Sequence, residues 1–355
     1  MEYDYIIVGC GLAGIAFAET AINNGKSVYV FDNNSQNSSR IAAGIYNPVI
    51  LKRFTEVWQA KEQLQILEDF YLKIEEKLNT KFDYKIPLLR KFFSIEEQNN
   101  WFTASDKPNL INYLSNDLVF DVNKNIDAPF GFGKVNFTGF VDTKKLIEAY
   151  TNYLISVNCY SNYSFQYNNL ILNDDFVVYE NIKAKHIVFA EGFGMLLNPF
   201  FSTLPLDGAK GELLIIKSLD LKLEMVVKTA IFIIPLGNDL YKVGATYNWD
   251  DKTNIPTQQA KDELLVELKA LIKCEFEVVN HLASIRPTVK DRKPMLGSHP
   301  IHKNMHIFNG LGTRGVMLAP AMAKMLYNTI EKNEPLDSYV DIKRFKNFVS
   351  NFYQS

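Results

Sequence analysis

The chain alternates short apolar runs with polar, glycine-bearing breaks, and the period of each run predicts an element. Residues 3–8 (YDYIIV) are apolar and rich in β-branched side chains, which predicts a buried parallel strand. Residues 15–25 (IAFAETAINNG) predict a helix capped at Gly25, and 27–31 (SVYVF) a second strand ending on Asp32. Over 54–78, Val57, the Lys61 stem, Leu64, Leu67, Tyr71, Ile74 and Leu78 recur at three-and-four spacing, predicting one long amphipathic helix for core packing. Residues 81–140 break into short apolar runs between Asn, Asp, Pro and Gly and read as antiparallel strands and loops. Asp142 then caps a helix whose inward face is Leu146, Tyr150 and Tyr153. The run Lys185–Ala190 ends at Glu191-Gly192 and predicts a return to the parallel sheet. Residues 206–281 are strand-rich, with one helix near 258–273. Finally His306-Ile-Phe308 leads into Gly310, Gly312 and Gly315, and a helix starts near Val316 with Pro320 in its first turns.

The first break carries specific chemistry. Gly9-Cys10-Gly11-Leu12-Ala13-Gly14 sits between the first strand and the first helix. Gly9 permits the tight turn, Gly11 lets backbone approach a pyrophosphate, and Gly14 lets helix and strand pack closely. The helix start then directs free N–H groups and its positive dipole end at phosphate. Asp32 ends the second strand, where a carboxylate accepts from a ribose diol. An acid there disfavours a 2′-phosphate but does not separate NAD from FAD.

Bulk properties narrow the partners. A net charge of −2 and no clustered basic stripe give no footprint of a polyanion binder. Cys10, Cys159 and Cys274 have no metal spacing and are odd in number, which fits a reducing compartment better than a disulfide framework. No metal site is expected. No basic leader precedes the first strand, and no apolar run approaches the roughly 18 residues of a membrane span. A cytoplasmic location is expected, and the oligomeric state is left open.

Seven blocks in order, VGCGLAG, SSRIAAGIYNP, IVFAEG, KGELLII, KVGAT, IRPTVKDRKPMLG and GLGTRGVMLAPA, cover the whole chain. With them the sequence resembles the D-amino-acid-oxidase-like FAD oxidoreductases. Within that family its blocks are most like those of glycine oxidase and of the oxidase domain of the bifunctional tRNA wobble-uridine modification enzyme. The resemblance implies an α/β fold: a Rossmann-like, glutathione-reductase-like FAD-binding domain with an inserted α+β, antiparallel-sheet substrate domain. Residues 1–80, 139–205 and 282–355 would form the first, and 81–138 with 206–281 the second.

Carried over residue by residue, the resemblance implies FAD contacts at Gly9, Gly11, Leu12, Ala13 and Gly14, and ribose contacts at Asp32 with Asn33. Ser39, Arg40, Ala42, Ala43, Gly44 and Ile45 would lie along phosphates and flavin. Phe165, Ala190, Glu191 and Gly192 complete the cofactor wall, and the turn Gly312, Thr313, Arg314, Gly315, Val316, Met317 would cover the pyrimidine end of the isoalloxazine. No Cys lies near the C-terminal blocks, so the FAD would be non-covalent.

Arg286 and Arg314 match arginines that address substrate, and a planar, permanently charged fork suits a carboxylate. The alternatives are an ion pair with Asp291 for Arg286 and a solvated turn for Arg314. Relatives place Tyr or His shortly before the proline matched by Pro235, where this chain has Phe232 and Ile233. Tyr247 would compensate, or else be a buried strand tyrosine. Glu191 stands where a small residue is usual. The implied reaction oxidises a C–N bond of an amino acid or secondary amine by hydride transfer to flavin N5. The imine is then hydrolysed, and electrons pass to oxygen or another acceptor. It needs no strong base, and the five His (186, 281, 299, 302, 306) read as structural. Lys290, Arg292, Lys293 and Lys303 give a basic patch near the site, which leaves open a tRNA wobble-uridine side-chain oxidase; a flavin subunit of an electron-transfer complex is a further alternative.

Overall fold

The computed structural model describes residues 1–350. Its first sheet is built on four parallel strands in the spatial order Val28–Phe31, Glu2–Val8, Ile182–Phe189, Met305–Asn309. Strand Ile182–Phe189 shares its far edge between two partners. Its start pairs antiparallel with Val177–Tyr179, and its end pairs parallel with Met305–Asn309. The carboxyl ends of all four therefore reach one edge of the sheet, the edge at which open α/β sheets bind ligands.

Helix Leu12–Asn23 packs against helix Gly315–Lys332, which in turn packs on helix Ala60–Leu78. The expected helix over 54–78 starts later, at Ala60. Phe54 and Gln59 take positive φ (46° and 48°), so the chain turns sharply at both, and Val57 is buried from the loop between them. Leu67, Tyr71 and Ile74 are fully buried as their spacing predicts. Buried Glu19 accepts from Lys77 Nζ at 2.7 Å and from Tyr150 Oη at 2.8 Å, pinning three helices through one carboxylate. Asp142 caps helix Thr143–Ser156 by accepting from Lys145 N at 3.1 Å, though Leu154 rather than Tyr153 completes its buried face.

The second sheet has eight strands in the order Glu277–Val289, Leu206–Lys217, Leu240–Gly244, Phe232–Gly237, Val226–Lys228, Leu88–Lys91, Phe132–Val135, Leu114–Val119. It is antiparallel except between Val226–Lys228 and Leu88–Lys91. Strand Glu277–Val289 pairs along its length with Leu206–Lys217, so the division anticipated at 281/282 falls inside a strand. Strand Asp83–Tyr84 belongs instead to a small sheet with Gly139–Val141 and Ile45–Tyr46. Residues 351–355 of the anticipated last segment lie outside the described residues. A helix at Ile95–Ser105 interrupts the anticipated run of strands; Ser94 caps it, accepting from Glu97 N at 3.2 Å.

Candidate active site

The carboxyl ends of the parallel strands and one face of the second sheet together enclose a cavity of about 600 Å³. Every cofactor-contact position anticipated above lines it except Gly14. Gly14 acts one layer behind. A Cβ there would sit 1.9 Å from the Gly9 carbonyl oxygen, so only glycine lets the helix lie this close to the turn. Gly9 itself has φ +104°, and a Cβ on it would meet Ala190 O at 2.4 Å. Helix Leu12–Asn23 has no side-chain cap on Gly11 and no acid in its first turn, which leaves its positive end facing the cavity. Ser39 is brought in from the short helix Ser38–Ile41, its Oγ accepting from Leu12 N at 3.2 Å.

Two acids line the cavity, Asp32 and Glu191. Burial raises the pKa of Asp32, opposed by the backbone N–H groups of Asn34, Cys10 and Asn33 and by the Arg40 charge. Glu191 follows the third parallel strand. Burial pushes its carboxyl up to about 7, although it accepts from Asn198 Nδ2 at 2.7 Å and from the Tyr167 hydroxyl. Tyr167 and Asn198 supply the hydrogen bonds that a carboxyl buried at this position requires.

Arg286 enters from the second sheet. Its side chain runs over Gly211 of the neighbouring strand, where a Cβ would lie 1.9 Å from Nη2 and 2.1 Å from Cζ. Nη1 donates to Lys210 O (3.4 Å) and Thr246 O (3.3 Å), and Nη2 to Thr246 O (3.3 Å). The alternative partner is ruled out: Asp291 pairs with Arg344 at 2.8 Å. Arg286 has no ion-pair partner among the described residues, and burial lowers its pKa. A desolvated cation held only by carbonyls is a receptor for an anion. Arg314 is also half-buried with no ion pair among the described residues, and burial lowers its pKa too, so a solvated turn does not describe it.

Tyr247 departs from both readings offered for it. It lies beyond strand Leu240–Gly244, is 45% exposed, and does not line the cavity. Its ring instead covers the Arg286 guanidinium at 5.0 Å, so it touches the site through the arginine. No histidine lines the cavity among the described residues; His186 and His306 bond one another at 3.1 Å inside the first sheet. Of the basic residues after the Arg286 strand, Lys293 lies over the Tyr339 ring at 4.3 Å, while Lys290, Arg292 and Lys303 are exposed.

Several further residues line the cavity, and Leu51, Leu88 and Lys228 had no motif to announce them. Leu51, Leu88, Leu213 and Phe232 form an apolar wall, and Lys228 stands beside Phe232 on the next strand. Burial and the neighbouring Arg90 charge push Lys228 down to about 8. Only sheet register brings it to the cavity, and register is not readable from one short strand.

Comparison with known proteins agrees with this geometry. The family described as DAO: FAD dependent oxidoreductase matches residues 4–329. The glycine oxidase of Pseudomonas aeruginosa is 26% identical over 160 residues, a stretch covering 44% of each chain. The tRNA 5-methylaminomethyl-2-thiouridine biosynthesis bifunctional protein of Idiomarina loihiensis is 24% identical over 153 residues, 41% of this chain and 25% of that one. The matched stretches thus span less than half the length of these relatives. The crystal structure of glycine oxidase from Geobacillus kaustophilus superposes with a TM-score of 0.78 at 18% identity, covering 97% of this chain and 98% of that one.

Proposed function

The chain belongs to the DAO family of FAD dependent oxidoreductases, and from that premise we propose that it oxidises a C–N bond of a carboxylate-bearing amine or amino acid. The observation that carries this reading is Arg286, a half-buried guanidinium on the second sheet that lines the cavity and has no acid partner among the described residues.

The residues fit non-covalently held FAD. The Gly9–Leu12 turn and the helix start, where Ser39 Oγ already accepts from Leu12 N, would take the pyrophosphate, and Asp32 with Asn33 the ribose. Ala42–Ile45 and the turn Gly312–Met317 would face the flavin, with Phe165 and Gly192 near the adenosine. The bound flavin supplies a hydride acceptor. The protein supplies position and field. Arg286 fixes the carboxylate, and the apolar wall of Leu51, Leu88, Leu213 and Phe232 excludes water around the reacting carbon. Arg286, Arg314 and Lys228 line the cavity with no acid partner among the described residues, so a substrate ammonium is disfavoured and the neutral amine, the reactive form, is favoured. No base from the protein is required.

Tyr247 acts by holding the Arg286 plane. Three free cysteines support a cytoplasmic setting, and no helix among the described residues is long and apolar enough to cross a membrane. The test compares each accepted amino acid with its amide. Anaerobic reduction of the flavin by the free carboxylate but not by the amide supports the reading. Equal turnover of both would remove the role given to Arg286. A second reading, oxidation of a side chain on a tRNA base, draws support from the Idiomarina relative and from exposed Lys290, Arg292 and Lys303; turnover of tRNA alone would favour it.

A further inference from the structure

The wall that carries Arg286 continues across four more strands with their side chains in register. Gly211 pairs with Ser284, and Leu213 two residues on pairs with Gly244. Gly244 pairs with Phe232, and Phe232 with Lys228. Paired residues share a face of the sheet, as do residues two apart. Arg286 over Gly211, Leu213, Phe232 and Lys228 therefore stand along one face, and all line the cavity. The Phe232 ring lies over Gly244, where a Cβ would come within 2.9 Å of it, and separates the two cations. Four strand steps separate the Arg286 strand from the Lys228 strand; the guanidinium, lying over Gly211, already spans the first, which leaves three steps of about 4.8 Å to the Lys228 backbone.

We propose that Lys228 is a second anion subsite, and that the substrate is an amine bearing two carboxylates, one held by Arg286 and the other by Lys228 across Phe232. This rests on the reading of Arg286 given above and extends it to the substrate class.

The Lys228 ammonium meets only backbone carbonyls: Thr229 O at 2.9 Å, Ala230 O at 3.0 Å and Ile231 O at 3.3 Å. The last is the weakest and the easiest to release. Ile231 O already accepts from Thr229 N at 2.7 Å and from Thr229 Oγ1 at 3.3 Å. The N–H aimed at it is free to turn to an incoming carboxylate at little cost. The nearest charge in register is Arg90, of the same sign and itself paired with Glu97 at 3.2 Å. The acids that line the cavity, Asp32 and Glu191, both follow strands of the first sheet, not this face. One face thus offers two cations with an apolar ring between them, the complement of an acid–alkyl–acid ligand. A monocarboxylate would leave Lys228 held by carbonyls alone, without a counter-charge.

The test titrates butyrate and glutarate into the FAD-loaded protein and reads the shift of the flavin absorption spectrum, which needs no turnover. Glutarate is expected to bind about ten to a hundred times more tightly than butyrate, the fold-change of one charge-assisted hydrogen bond. Lys228→Met should bring the two affinities together by weakening glutarate, and Lys228→Arg should keep the preference. Equal affinity for the two acids in the wild type would overturn the proposal, as would a preference that survives Lys228→Met. If neither acid perturbs the flavin, the Arg286 anchor fails and this proposal falls with it. Butyrate binding without a glutarate preference overturns the second subsite alone.

Discussion

Replacing Gly211 by alanine tests the carboxylate anchor without touching the arginine. The new Cβ would lie 1.9 Å from Arg286 Nη2, 2.1 Å from Cζ and 2.4 Å from Nη1. Ordinary contact needs about 3.5 Å, so the guanidinium must retreat by roughly 1.5 Å. What holds it is weak: three contacts to Lys210 O and Thr246 O at 3.3–3.4 Å, beyond the usual N–H···O range. The arginine moves and the strand stays, and alanine in place of a strand glycine returns about 0.5–1 kcal/mol of backbone entropy. Folding stability should therefore change by less than about 1 kcal/mol. The carboxylate, however, loses most of a charge-assisted contact. At about 2 kcal/mol this weakens binding about thirtyfold. The assay is the Kd of a short monocarboxylate, read from the flavin spectrum, beside the Tm of the same preparation. Wild-type affinity in Gly211→Ala would refute the placement of the anchor, and a collapsed Tm would refute the claim that the guanidinium is loosely held.

Three further outcomes are expected. Asp32→Ala should raise the Kd for FAD about ten- to a hundredfold, the loss of hydrogen bonds to a charged group, measured by flavin fluorescence on adding FAD to apoprotein; an unchanged Kd would remove Asp32 from the ribose. Glu191 has its folded pKa raised from 4.5 to about 7, so the protonated acid stabilises the fold below about pH 4.5 and that contribution is lost as pH rises through 7. Glu191→Gln should consequently gain on the wild type between pH 5 and 8, by on the order of 3 kcal/mol at most, and a Tm difference independent of pH would contradict this. Gly14→Ala forces a Cβ to within 1.9 Å of a backbone oxygen that has nowhere to go, so soluble protein with normal flavin content should not be recovered; a native-like yellow preparation would show the helix free to shift.

How much of this was legible in the sequence depends on whether a local signal existed. The turn Gly9–Gly14, the acid at Asp32 and the cap at Asp142 are local chemistry, and each stands where its pattern places it. The family follows from blocks in order, and residues 4–329 match it. The start of the third helix was misjudged because Val57 fits the helical period while buried from a loop, and the turn residues Phe54 and Gln59 belong to no turn-favouring type. Helix Ile95–Ser105 did carry a signal, Ser94 followed by Glu97, which composition obscured. Tyr247 was misplaced because a tyrosine after an apolar strand reads as its continuation, whereas the strand ends at Gly244. Gly211 and Lys228 were silent for a different reason. Their roles arise from cross-strand register between segments far apart in sequence, and no spacing along one strand encodes that.

The central claim is that FAD bound at the first sheet is reduced by an amine whose carboxylate is held by Arg286. The most direct measurement is anaerobic titration of the purified yellow protein with a panel of mono- and dicarboxylic amino acids, following the oxidised-flavin band, in the wild type and in Arg286→Met. The account predicts bleaching by a carboxylate-bearing amine in the wild type, and at least about tenfold more of that amine for half-bleaching in the variant. A protein that carries no flavin, or one bleached equally well with and without Arg286, would contradict it.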